Sequence, residues 1–207
     1  RLRFPYNCNA TLGHREVILQ CNEYNDLFQT KMQFVAYRGG ISFLNLWYNN
    51  IVKLEGRPFL GLNGLKTLHL ANNLLKELSK DVFLGLSVLN NLYISFNQLA
   101  QLHENSFEGL GMLQELYLEY NKLTALPHML FRPLNNLREL HIGTNKLVTL
   151  NESIFQGLRD LNVLNLPYNN LISLSGVLSQ ELDNLVTLNL YSNQLGTLYS
   201  NQFYILG

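Results

Sequence analysis

The stretch LQELYLEYNKL at residues 113–123 decides the architecture. Read as a β-strand, its alternation sends Leu116 and Leu118 to one face and Glu115, Tyr117 and Glu119 to the other. The stretch has counterparts along the chain. Asparagines recur every 24 residues, at Asn49, Asn73, Asn97, Asn121, Asn145, Asn169 and Asn193, inside the frame LxxLxLxxNxLxxL. A phenylalanine follows most of them ten residues later, as Phe59, Phe83, Phe107, Phe131, Phe155 and Phe203.

A single 24-residue turn of chain is too small to bury its own leucines. Stacked on its neighbours, it merges them into one continuous core. The asparagine is expected to turn inward, its amide pairing backbone groups that the bend leaves open. The phenylalanines form a spine on the opposite side and wedge it wider than the strand side, which predicts curvature. One unit departs from the pattern: Ser179 stands where a phenylalanine is due, after Gly176, Val177 and Leu178. There a local change is expected on the convex side, with Val177 or Leu178 taking the place of the ring.

The expected class is α/β, a right-handed solenoid or horseshoe with a concave parallel β-sheet and an irregular or 3-10 convex side. Residues 1–40 read as an N-terminal cap and 41–207 as seven 24-residue units. Gly207 falls inside the seventh unit, so a C-terminal cap and any membrane anchor are expected beyond it. Lys+Arg 15 against Asp+Glu 15 leaves no footprint for nucleic acid or a membrane surface. No apolar run approaches the roughly 18 residues of a membrane span.

The only two cysteines, Cys8 and Cys21, precede the first unit, where the open end of the core needs a lid. A disulfide between them closes a short loop and stabilises by on the order of 3 kcal/mol in the chain-entropy account. Two unlinked buried thiols are the alternative. The triplets Asn9-Ala10-Thr11 and Asn151-Glu152-Ser153 are glycosylation acceptors that agree with secretion.

Function should sit on the residues that project from the concave sheet, at the third, fifth and seventh places of each unit. The third column reads Phe43, Thr67, Asn91, Glu115, Glu139, Val163, Thr187. The fifth reads Asn45, His69, Tyr93, Tyr117, His141, Asn165, Asn189, and the seventh Trp47, Ala71, Ser95, Glu119, Gly143, Pro167, Tyr191. Seven of these 21 places hold an aromatic ring or histidine, where chance gives about three. The next place, at the strand edge, adds Tyr48, Phe96, Tyr120 and Tyr168. Such rings also suit any exposed strand. Read functionally, they are large, rigid, amphipathic contact area. Glu115, Glu119 and Glu139 gather in two adjacent units with no lysine or arginine in the columns. They form either a solvated face partly neutralised by Arg138 or an anionic patch, framed by Tyr93, Tyr117 and Tyr120, for a cationic or hydroxyl-rich group.

Catalysis and metal binding are not expected. Glu115 and Glu139 fall about 5 Å apart, the separation of a retaining glycosidase pair. An open sheet, however, does not shield a carboxyl from water to raise its pKa. His69 and His141 lie three units apart, roughly 14 Å, too far for one ion. No cofactor is implied.

The frame over 41–207 resembles the extracellular leucine-rich repeats of Toll-like receptors, matrix proteins and variable lymphocyte receptors. Uniform 24-residue units, a disulfide cap and a concave face that varies from unit to unit are most similar to the variable lymphocyte receptors, here of an invertebrate chordate. That family's cap carries four cysteines with a C-x-C element, whereas this chain has two, and residues 22–40 lack its proline-containing link. The resemblance implies a secreted or surface-anchored immune module that binds microbial antigens, carbohydrate or protein, through Glu115, Glu119, Glu139, Tyr93, Tyr117, Tyr120, His141, His69, Trp47 and Asn91. The carboxylates point to partners with positive groups, such as a Gram-positive bacterial surface. The alternatives are a matrix or adhesion protein, or a Toll-like or growth-factor receptor ectodomain with a protein ligand.

Overall fold

The computed structural model describes residues 8–12, 16–21, 40–174, 176–178 and 182–196. Ser179, Phe203 and most of the segment between the cysteines and the first unit lie outside them. Among the described residues eleven strands follow one another: β1 (Cys8–Leu12), β2 (Glu16–Cys21), β3 (Phe43–Asn45), β4 (Thr67–His69), β5 (Glu77–Leu78), β6 (Asn91–Tyr93), β7 (Gln101–Leu102), β8 (Glu115–Tyr117), β9 (Glu139–His141), β10 (Val163–Asn165) and β11 (Thr187–Asn189). Nine form one sheet in the order β1-β2-β3-β4-β6-β8-β9-β10-β11, parallel from β2 onward. β5 and β7 pair separately.

The sheet keeps the sequence period without a slip. Leu44 pairs with Leu68, Leu68 with Leu92, and so on through Leu116, Leu140, Leu164 and Leu188. A one-residue shift would turn every leucine to solvent, so burial fixes the register. The strand leucines from Leu44 to Leu164 are fully buried, and with Leu46, Leu70, Ile94, Leu118 and Ile142 they line a single core. Each such side chain contributes about 1.5–3 kcal/mol when removed from water.

Beyond each strand the chain must turn inward, and the backbone does so through a left-handed residue at the eighth place. Tyr48, Asn72, Phe96, Tyr120, Thr144, Tyr168 and Ser192 all have φ between 52 and 57°. The asparagine that follows then points into the core. Asn121 Oδ1 accepts from the N–H of Leu99 at 3.0 Å, and its Nδ2 donates to the carbonyls of Leu118 (3.0 Å) and Ile94 (3.1 Å). Asn73, Asn97, Asn145 and Asn169 repeat the arrangement. One amide thereby ties each turn to its predecessor, as its residue type predicts.

The convex side holds no helix among the described residues. It is made of single turns with i→i+3 bonds, such as Leu62 N–H to Phe59 O and Leu86 N–H to Phe83 O, both 3.1 Å, so the α component of the expected class reduces to isolated turns. The phenylalanine spine is present: Phe59, Phe83, Phe107, Phe131 and Phe155 stack at centroid spacings of 6.1–6.4 Å. Rings on the strand face are spaced only 4.2–4.7 Å apart. That inequality per turn makes the sheet face concave. In the departing unit Val177 is buried in the core, Leu178 packs against it, and Gly176 (φ 71°) has the Glu152 side chain directly over its backbone.

Candidate functional site

The pleat alternates as expected, with each three-residue strand from β3 to β10 burying its central leucine and leaving its outer residues half-buried on the concave side. Parallel register then lines up the fifth places. His69, Tyr93, Tyr117 and His141 form one uninterrupted stack, with spacings of 4.2, 4.7 and 4.4 Å and interplanar angles of 9–14°. Phe43 abuts its first ring at a tilt, 6.3 Å from His69. Each inner ring spends its faces on its neighbours. A ligand therefore meets ring edges and hydroxyls here, and cation–π contact with Tyr93 or Tyr117 is blocked.

The carboxylates are fastened to this stack. Glu115 pairs in register with Glu139, and Asn91 with Glu115. Glu115 Oε2 accepts from the hydroxyls of Tyr93 (3.4 Å) and Tyr117 (3.3 Å), both long. Glu119 Oε2 accepts a short bond of 2.6 Å from Ser95 Oγ. His141 closes the cluster: Asn165 Nδ2 donates to its Nδ1 at 2.9 Å, and its Nε2 lies 3.1 Å from Glu139 Oε2. With the Asn165 amide in this orientation, Nδ1 accepts and Nε2 is the ring nitrogen that faces Glu139 as a donor. Glu119 Oε1 stands 3.9 Å from Nδ1. Among the described residues no lysine or arginine pairs with any of the three glutamates, and Arg138 is exposed without an ion pair.

Burial and these charges move the rings' protons. Burial first, then the charge of Glu115, raises the Tyr93 and Tyr117 hydroxyls above the usual tyrosine value, Tyr117 the more strongly. Burial lowers His69, whose Nδ1 is buried without a hydrogen-bond partner, so His69 stays neutral. The folded state holds the two tyrosine protons more tightly than the unfolded chain, whose tyrosines titrate near 10.0. Stability from these groups is thus intact below that pH and falls as pH rises above it. Ultraviolet titration should show two tyrosines ionising late. Glu115→Gln should bring them forward without restoring ordinary behaviour, because burial remains.

The sequence-derived residues do not all meet. Tyr93, Glu115, Tyr117, Glu119, Glu139, His69 and His141 form one cluster, with Asn91 at its edge. Trp47 sits on the first turn and packs edge-on against Tyr48, 4.9 Å away. Tyr120 stands outside the concave face and stacks with Phe96 at 4.2 Å. Two members were not foreseen, Ser95 and Asn165. Each occupies the column of the residue it holds, one unit away, so lateral reading of the columns would have found both.

The family profile described as Leucine rich repeat matches residues 41–99, 87–147 and 135–195, together well over half the chain. No curated protein matches the sequence. Among solved structures, the chain is similar to one from the Drosophila Toll–Spatzle complex, with 25% identity and a TM-score of 0.77. The likeness covers 93% of this chain and 27% of that one, so the present chain spans about a quarter of its relative's length. With its repeat frame, asparagine ladder and curved parallel sheet, the chain belongs to the leucine-rich repeat family.

Proposed function

We propose that this protein is an extracellular recognition module of the immune type, which binds microbial surface structures through the concave cluster around Glu115, Glu119 and Glu139. The observation that carries the reading is the stack from His69 to His141 with unneutralised carboxylates tied to it. Rings locked by their neighbours lose little freedom on binding, so the cost of ordering the site is largely met before a ligand arrives. The carboxylates keep acceptor capacity directed at groups that donate protons or carry positive charge, such as amino sugars or alanylated polymers of a Gram-positive surface. Uniform units and the varied concave columns support the variable lymphocyte receptor-like branch. A second reading, a soluble protein ligand, draws on the similar Toll chain, which was solved in a complex with Spatzle.

The same reading places a cap over the first turn. β1 and β2 set Cys8 opposite Cys21 in antiparallel register, and Cα atoms so paired lie about 4.5–5.5 Å apart, within disulfide reach. Asn151 is exposed on the far side of the solenoid, so a glycan there leaves the concave face open.

The test is pull-down by Gram-positive, Gram-negative and yeast cells, beside a Glu115→Gln, Glu119→Gln, Glu139→Gln variant of unchanged fold. Selective binding should fall about tenfold or more in the variant, and the parent's binding should weaken as salt rises. Equal binding to all cells, or indifference to both changes, would sink the microbial reading. Failure of all cells to retain the protein would favour the soluble ligand.

A further inference from the structure

The left-handed eighth place is costly for bulky residues, and this chain fills it with rings four times. Tyr48, Phe96, Tyr120 and Tyr168 have φ of 53–57°, where a non-glycine residue loses on the order of 1–2 kcal/mol. Asn72, in the same column, shows the residue that relieves it. Burial of part of each ring offsets that loss, yet the rings remain 59, 48, 50 and 55% exposed. Four rings left about half open along one rim offer an apolar surface to a partner.

The neighbouring column says what the use is. Two places on, past the buried asparagine, stand Asn50, Leu74, Gln98, Lys122, Lys146, Asn170 and Gln194. All but Leu74 are amides or lysines, and neither column contains a carboxylate. Lys122 donates to Gln98 Oε1 at 3.3 Å, and among the described residues neither lysine forms an ion pair. Glu119, three residues before Lys122, lies on the concave side and is held by Ser95. Within the ring column the stacked Phe96–Tyr120 pair is flanked by small residues, Asn72 and Thr144, so each ring of the pair keeps one outer face uncovered by another ring.

We propose that this rim is a second binding surface, for an extended glycan bearing carboxylates. A pyranose has an apolar C–H face, which suits the electron-rich face of an aromatic ring, and a hydroxyl edge, which suits amides that both donate and accept. Lys122 and Lys146, one turn or about 5 Å apart, meet a uronate in the middle of the row. The concave patch, being acidic, repels such a chain and leaves it on the rim. This surface stands whether or not the concave cluster binds its own target.

The experiment is calorimetric titration of the full chain with a hyaluronan hexasaccharide and with chitohexaose, which shares the N-acetyl sugars but lacks the carboxylates. Hyaluronan should bind, and chitohexaose should bind about tenfold more weakly. Lys122→Gln with Lys146→Gln should remove that difference and the salt dependence. Replacing Tyr48, Phe96, Tyr120 and Tyr168 by asparagine should abolish binding of both. The lysine pair, which leaves packing untouched, keeps the test decisive if the ring variant folds poorly. Absence of hyaluronan binding at millimolar concentration, or full binding by the lysine variant, would overturn the proposal.

Discussion

Replacing Asn121 by leucine is expected to lower the unfolding free energy by about 3–5 kcal/mol, although the two side chains are close in size. Asn121 is buried, and its amide serves Leu99 N–H, Leu118 O, Ile94 O and, at 3.3 Å, Glu119 O. Leucine leaves the Leu99 donor without a partner inside the core, at about 1–3 kcal/mol, and removes one partner from each carbonyl. The junction between two turns weakens, because the amide bridges its own turn and the one before. In a stack stabilised by nearest neighbours, such a break also uncouples the halves on either side. Urea unfolding should therefore show a lower midpoint and a broader transition. Asn170→Leu, at an exposed site in the next-but-one unit, is the control and should shift stability by no more than about 0.5 kcal/mol. Equal effects at the two sites would mean that the asparagine ladder does not hold the turns together.

Phe107→Ala should cost about 3–5 kcal/mol, and it should also disturb the opposite face. The ring is fully buried and stacks 6.3 Å from Phe83 and 6.1 Å from Phe131. Truncation removes its transfer free energy and leaves a cavity that two rigid neighbours close only in part. The ring is also a spacer. Its loss lets the convex side draw in at that turn, which flattens the arc and loosens the contact between Tyr93 and Tyr117, now 4.7 Å. Phe107→Leu keeps most of the volume and should cost less than about 1.5 kcal/mol. Thermal unfolding measures the first effect, and the ultraviolet titration of the two tyrosines reads the second. An alanine variant that is destabilised but keeps both tyrosines late would separate curvature from the concave stack.

The sequence carries the repeat, register and concave columns because each follows from a period. A 24-residue recurrence fixes which turns are neighbours, and the two-residue pleat fixes which side chains share a face. Glu115 and Glu139 could be placed side by side on that basis alone, and the structure pairs them. Ring orientation has no such rule. The stacking that closes the faces of Tyr93 and Tyr117 depends on side-chain torsions and on the arc narrowing the concave spacing. It changes their role from open contact surface to a rigid frame for Glu115. The backbone at the eighth place was hidden for a different reason. Tyr48, Phe96, Tyr120 and Tyr168 have strand-like propensities, and tertiary geometry overrides them to bring the asparagine inward. Column order alone sets Tyr120 beside the concave cluster, whereas it belongs to the rim with Phe96. In the departing unit the sequence leaves Val177 and Leu178 as alternatives, and burial in the core distinguishes Val177.

The central claim is that the concave carboxylates are where a target docks, and carboxyl footprinting of the protein free and bound to the cells that retain it tests this directly. Glu115, Glu119 and Glu139 should become protected on binding while Glu104 and Glu108, exposed on the convex turns, stay reactive. Protection of Glu104 and Glu108 with the three concave glutamates unchanged would place the binding surface on the other side of the solenoid and contradict the account.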